Sequence, residues 1–415
     1  MNRPAALLAA CVVACVSPRA QAQASPGIQL VADLPQGGQI TGHALSPDGR
    51  RIAAVVLATR LRVSNADSGR ADWELAANQH NSEYFSQPVF SPDGNLLAVE
   101  SAGEVALFHA DGTLLARLGG HQPAQTRQGR DPVRILGVRF DADSRTVMTY
   151  TRMKAMLFRV NEFADAGWLR RQFIKYRGAA SLGPATTLLP RDAPPGGGPF
   201  EFHEVLYAQN GKELLGSSTT HVHVWSVGTG RELRATELDG LAVRPGFLSS
   251  DGRHVAVCWP DAVALGVLDR SRPALELKRE HGQHLAQGAN CAFSPDGRFI
   301  LSWQSSYPMF NLHVWDMNGR ELMGYRDKPG DRLSGVAFSG DGKRLVAIDE
   351  LGIVRVFDLD HGTLVARREG EYSMIGVTRS PADYPRSIPI STDRSGRRVV
   401  VQERERLRVF DVAAR

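Results

Sequence analysis

SGVAFSGDGKRLVAIDELGIVRVFDLDHGTLVARREG, residues 334–370, is the stretch that decides the fold. It reads as short runs divided by tight turns. Val336-Ala337-Phe338 stops at Ser339-Gly340-Asp341-Gly342, residues 344–348 form a second run, residues 352–358 a third, and residues 363–367 a more charged fourth. The sister turn Ser294-Pro295-Asp296-Gly297 shows the turn chemistry more clearly. Proline presets φ near about −65°, aspartate tolerates the next position, and glycine accepts the positive φ that sends the chain back antiparallel. Leu345-Val346-Ala347-Ile348 is apolar on both faces, so that strand needs cover on both sides. One sheet of four strands cannot supply it; stacked copies can.

Copies are present. The turn glycine or its equivalent falls at Gly49, Gly94, Ser144, Gly211, Gly252, Gly297, Gly342 and Gly396, at spacings of 45, 50, 67, 41, 45, 45 and 54 residues. A period near 45 with a few enlarged intervals is a radial array carrying loop insertions. The third runs recur in step, ending His-Val-Trp at 223–225 and 313–315 and Arg-Val-Phe-Asp at 355–358 and 408–411.

The spacing, the Ser-Pro-Asp-Gly turns and the Val-Trp or Val-Phe-Asp endings resemble the WD40 family of β-propellers, over roughly residues 28–415. The resemblance implies an all-β fold: a single propeller of seven or eight four-stranded blades, with eight favoured by the count. It also implies that each repeat begins with the outer strand of the preceding blade. Residues 28–34, IQLVADL, would then complete the last blade and close the ring, removing open sheet edges. The Gly-His dipeptide that precedes the inner strand in typical repeats stands clearly only at Gly120-His121. The family's buried His–Asp–Ser–Trp network is therefore expected to be missing from most blades.

Residues 1–24 read as a signal peptide: Arg3, an apolar run over 5–16, and Ala20-Gln21-Ala22 or Ala22-Gln23-Ala24 for cleavage. A rival reading lipidates Cys11 or Cys15, each closing a lipobox-like tetrapeptide. Both readings export the chain to the periplasm or beyond. Cleavage leaves Cys258 and Cys291, taken as two separate buried thiols rather than a bridge. The net charge of +5, less the two leader arginines, is +3, too mild to imply nucleic acid. Beyond the leader there is no run long enough to span a bilayer, and a monomer is expected.

Two insertions interrupt the array, at 161–199 and 370–388. Within the first, residues 168–176 suit a short helix or an outer strand, and the second half, rich in proline and glycine, reads as loop. The extra segments are expected on the face that carries outer-to-inner connections. That face would hold a partner-binding surface at Arg127, Arg130, Arg170, Arg171, Lys175 and Arg177. The plain alternative is a solvated linker over an irregular third blade.

No nucleophile elbow, phosphate loop or metal-ligand spacing is present, and neither a cofactor nor a metal site is expected. His221 and His223 flank Val222 and share a strand face; half a metal site is the sharp reading and ordinary strand residues the plain one. Residues 358–362, DLDHG, resemble a calcium loop faintly and an aspartate-rich hairpin turn better. The leading functional expectation is a non-catalytic scaffold that docks another protein in the cell envelope. The alternatives are a propeller-type enzyme (hydrolase, lactonase or quinone-dependent oxidoreductase) and a sensor of small ligands, both using the central channel.

Overall fold

The computed structural model describes residues 27–76, 85–121, 124–126, 129–131, 134–189, 202–218, 221–237, 247–258, 263–268, 275–277, 289–304, 311–326, 333–349, 351–369 and 390–413. The chain forms a β-propeller. Seven sheets have four strands and one has five, and each begins with an antiparallel hairpin at the expected turn. In chain order the blades span 40–76, 85–118, 137–188, 204–237, 247–277, 289–326, 333–368 and 390–412. Their inner strands touch those of their neighbours along much of the ring, including the first blade against the last.

The turns work as the sequence predicts. All eight turn positions have positive φ, Ser144 (φ 60°) among the glycines. Serine and aspartate brace them: Ser46 Oγ donates to Asp48 Oδ1 at 2.6 Å, and the pairs Ser91–Asp93, Ser294–Asp296 and Ser339–Asp341 repeat the contact. Successive turns also bond one another. Arg394 N–H donates to the Pro47 carbonyl, Asp341 N–H to Arg394, Gln209 N–H to Ser250, Ser250 Oγ to Pro295, and Asp93 N–H to Ser144 Oγ. One face of the propeller is thus a hydrogen-bonded belt of turns.

The ring closes through its termini. Ile28–Pro35 lies antiparallel to Arg406–Val412, from Ile28 opposite Val412 to Pro35 opposite Arg406, and buries Ile28 and Leu34. Arg406 and Asp33 bridge the pair at 2.7 Å. Between blades the core is made by facing apolar strands, such as Leu96, Ala98 and Leu107 of the second blade against Val147 and Phe158 of the third. Each such side chain, fully buried, contributes about 1.5–3 kcal/mol.

Two expectations need correction. The second half of the 161–199 insertion is not all loop. Thr186–Leu188 is the fourth strand of the third blade, and Ala180–Leu182 adds a parallel fifth strand to the outer edge of the second, pairing with Leu114–Leu118. Three-residue strands suffice there because the strand beside each is already fixed in a sheet. Cys291 is disulfide-bonded rather than a free buried thiol. Its strand, Ala289–Phe293, packs on the neighbouring blade's His254–Cys258, the proximity that a bridge between blades requires.

Candidate docking site

The third blade departs from the pattern after its third strand, Ala155–Arg159. A single turn, α1 (Asn161–Ala164), buries Phe163, and α2 (Trp168–Arg177) follows. Gly178, at φ 94°, ends α2 by donating its N–H to the Ile174 carbonyl at 2.7 Å. Lys175 and Arg177 occupy the last turn, where the helix dipole favours cations.

α2 leans on the ring by one narrow side. Ile174 packs on the core between the second and third blades. Arg171 Nε donates to Asp111 Oδ2 at 3.0 Å, and its Nη1 to the Ala166 carbonyl at 2.6 Å. Asp111 sits in the turn between the third and fourth strands of the second blade. Burial pushes its carboxyl upward, but hydrogen bonds from Thr113 and the neighbouring His109 hold it below the usual range, so the partner of Arg171 is an anion.

The outer side is the anomaly. Leu169, Phe173 and Tyr176, spaced i, i+4, i+7, form one stripe and are 75%, 57% and 90% exposed; Trp168 at its margin is 63% exposed. A helix usually turns such residues inward. Arg170 and Arg177 lie along one border of the stripe and Lys175 along the other. Arg170 Nη2 bonds Glu162 Oε2 at 2.6 Å, and the Arg177 guanidinium covers the Phe173 ring at 5.0 Å.

The six expected cations do not share a face. Arg170, Arg171, Lys175 and Arg177 belong to a connection between third and fourth strands, at the end of the blade that carries the belt of turns: Val160 N–H bonds the Arg145 carbonyl, and Arg145 pairs with Asp165 at 3.5 Å. Arg130 lies in the strand Gly129–Asp131, paired with Ala124–Thr126 in the connection at the opposite end, and its side chain is outside the described residues. Arg127 is outside them altogether, as are residues 370–389.

Inside the blades, polar side chains pair locally. His223 Nδ1 meets Glu232 Oε1 at 2.7 Å with its ring stacked on Trp225, and His313 repeats this with Glu321 at 2.6 Å on Trp315. In the seventh blade Arg355 takes the histidine's place and bonds Asp349 at 2.7 Å, both fully buried. Arg408 and Glu403 are the counterpart in the last blade, at 3.3 Å. A histidine or arginine two residues before the third-strand aromatic, held by a carboxylate, therefore recurs in several blades. At Gly120-His121, His121 Nε2 lies 2.7 Å from Thr149 Oγ1 on the second strand. The His221 and His223 rings stack at 5.7 Å, and His223 serves the Glu232 pair. Asp358 is engaged by His361 and Asp360 by Arg298. Among the described residues no group of three or more His, Cys, Asp or Glu is placed to hold a metal ion.

No family model and no curated protein matches the chain. Among solved structures, that of the computationally designed Ika8 protein is similar over 92% of this chain and 100% of its own, with a TM-score of 0.61 and 16% identity. At that identity the likeness is one of fold alone.

Proposed function

We propose that this protein is an exported, non-catalytic docking scaffold of the cell envelope, held in place through α2 and offering the rest of the ring to protein partners. One observation carries the reading: four large apolar side chains stand exposed on a helix that is itself pinned to a closed ring by Ile174 and Arg171. Exposed apolar clusters on a rigid support are interaction surfaces more often than accidents. Arg170, Lys175 and Arg177 would border the contact, with Arg130 toward the opposite end of the blade. The leader segment and the disulfide at Cys291 both favour an oxidising compartment outside the cytosol.

Fractionation of cells tests this. The intact protein is expected with the envelope after cell breakage, and a Leu169→Ser, Phe173→Ser, Tyr176→Ser variant in the soluble fraction. Because the stripe faces solvent, the variant should melt at the same temperature as the parent. Identical distribution of the two proteins would remove the docking role of α2.

A further inference from the structure

We infer that α2 and the belt of turns beside it form one surface for an anionic lipid bilayer, an inference that rests on the docking role of α2. Two observations point the same way. The first is the helix itself. Between residues 168 and 177 there are four cations and no acid. The apolar stripe of Leu169, Phe173 and Tyr176 has Arg170 and Arg177 on one flank and Lys175 on the other, with Trp168 at its edge. A helix lying at a bilayer surface needs this arrangement: an apolar strip inserted among acyl chains, and cationic stems on both sides that reach back to the headgroups. Tryptophan and tyrosine suit that boundary because one part of each ring is apolar and one is wet. A protein groove would accept the same i, i+4, i+7 anchors, but it gives no reason for cations on both borders, of which Arg170 alone is ion-paired among the described residues, to Glu162 outside the helix.

The second observation is independent of the helix. In seven of the eight belt turns the residue after the turn glycine or Ser144 is basic and exposed; the second blade has Asn95 instead. Arg50, Lys212, Arg253, Lys343 and Arg397 make no ion pair among the described residues. Arg145 and Arg298 are paired, with Asp165 at 3.5 Å and Asp360 at 2.6 Å. The same turns carry aspartates, short side chains tied back into the turns, while the longer basic stems reach past them. Asp48, Asp93, Asp251 and Asp341 are occupied by the hydroxyls and amides of their own turns. Hydrogen bonds join successive turns at five of the eight junctions, so most of these cations are held in fixed positions on one face. α2 leaves the blade at that same end, through Val160 and Asp165 beside Arg145. A flat, anionic, many-charged partner matches a ring of separated cations with an apolar helix at its rim.

The test is flotation of the purified mature protein with vesicles. Phosphatidylcholine vesicles with about one-third phosphatidylglycerol should carry the protein, and phosphatidylcholine alone should not; binding should fall steeply between low and physiological salt as exposed charges are screened. Reversing Arg253, Lys343 and Arg397 to glutamate should weaken partition well beyond about tenfold, since each cation near such a surface counts for roughly fivefold. The triple serine variant of the stripe should bind weakly and lose all binding at physiological salt. Equal binding to neutral and anionic vesicles would overturn the inference. So would no binding to either while the intact protein still fractionates with the envelope through its α2 stripe; that pair of results leaves α2 as a docking helix and makes its receptor a protein. If the stripe matters in neither assay, the docking reading falls as well.

Discussion

Asp349 and Arg355 are buried without exposure and bonded only 2.7 Å apart, inside a blade where Val354, Val356 and Phe357 flank Arg355 on the third strand. Removing one partner strands the other: Asp349→Ala should cost about 3–5 kcal/mol in denaturant unfolding, while Asp349→Leu with Arg355→Met should recover most of it. Two histidines set the acid limit of the fold. Burial pushes His43 and His121 each down to about 4 from the ordinary histidine value of about 6.5, so both rings are neutral in the native ring at neutral pH. Between those values the unfolded chain binds more protons than the folded one, so stability falls as pH is lowered through the window, by up to about 1.4 kcal/mol per unit for each group. Melting temperature should drop on going from pH 7 to pH 5, and His43→Asn should flatten the dependence. Gly297 is the third case at this scale: at φ 68°, with Gln209 Nε2 and Ser249 Oγ each 3.1 Å from where a Cβ would sit, Gly297→Val should destabilise by more than about 1 kcal/mol. Its positive φ was legible, because Ser-Pro-Asp-Gly has one good conformation. The burial of Arg355 was not: within GIVRVFD an arginine reads as the solvent side of an alternating strand, and its carboxylate arrives from another strand's end.

Among the elements, regular blades were legible and the third was only partly so. Its hairpin announces itself through spacing, even with Ser144 at the glycine position. Its fourth strand, Thr186–Leu188, was hidden, since three residues after an insertion carry no periodicity and gain their conformation from the sheet they join. WLRRQFIKYR fits a helix or an edge strand by pattern alone; the absence of β-branching beyond Ile174 and the glycines at both ends settle it as α2. The cations of the belt were overlooked for a simpler reason. One Lys or Arg after a turn glycine looks like an ordinary solvated residue, and only the closed ring makes a set of them. The disulfide is testable at this scale. Beyond residues 1–24 the sequence offers one other cysteine, Cys258, and a non-reducing digest should yield a peptide joining it to Cys291 that disappears on reduction. Cys291→Ser should lower stability by about 2–4 kcal/mol.

For the molecule as a whole, closure is the central fact. Deleting residues 28–35 removes a complete strand from the last blade and bares Arg406–Val412 along its length. The expected product is an aggregating or strongly destabilised chain by light scattering and thermal melting. A monomer of parental stability would show that the ring does not depend on that strand. The overall architecture was accessible from the sequence because a repeated unit with both strand faces apolar has few ways to satisfy itself. The insertion that carries the proposed docking surface was legible as well; the face it occupies was not, since that depends on which end of a blade each connection leaves.

The same closure orders events in time. Residue 28 pairs with residue 412, so during synthesis the strand at 28–35 has no such partner until the strand at 406–412 has followed it. No shorter, N-terminal piece of this chain is a ring. A chain halted before residue 406 carries two open edges, one at each end, for as long as the halt lasts. The finished protein hides both at once, and the interval between those two states is when proteases and chaperones of the compartment would have their access to it.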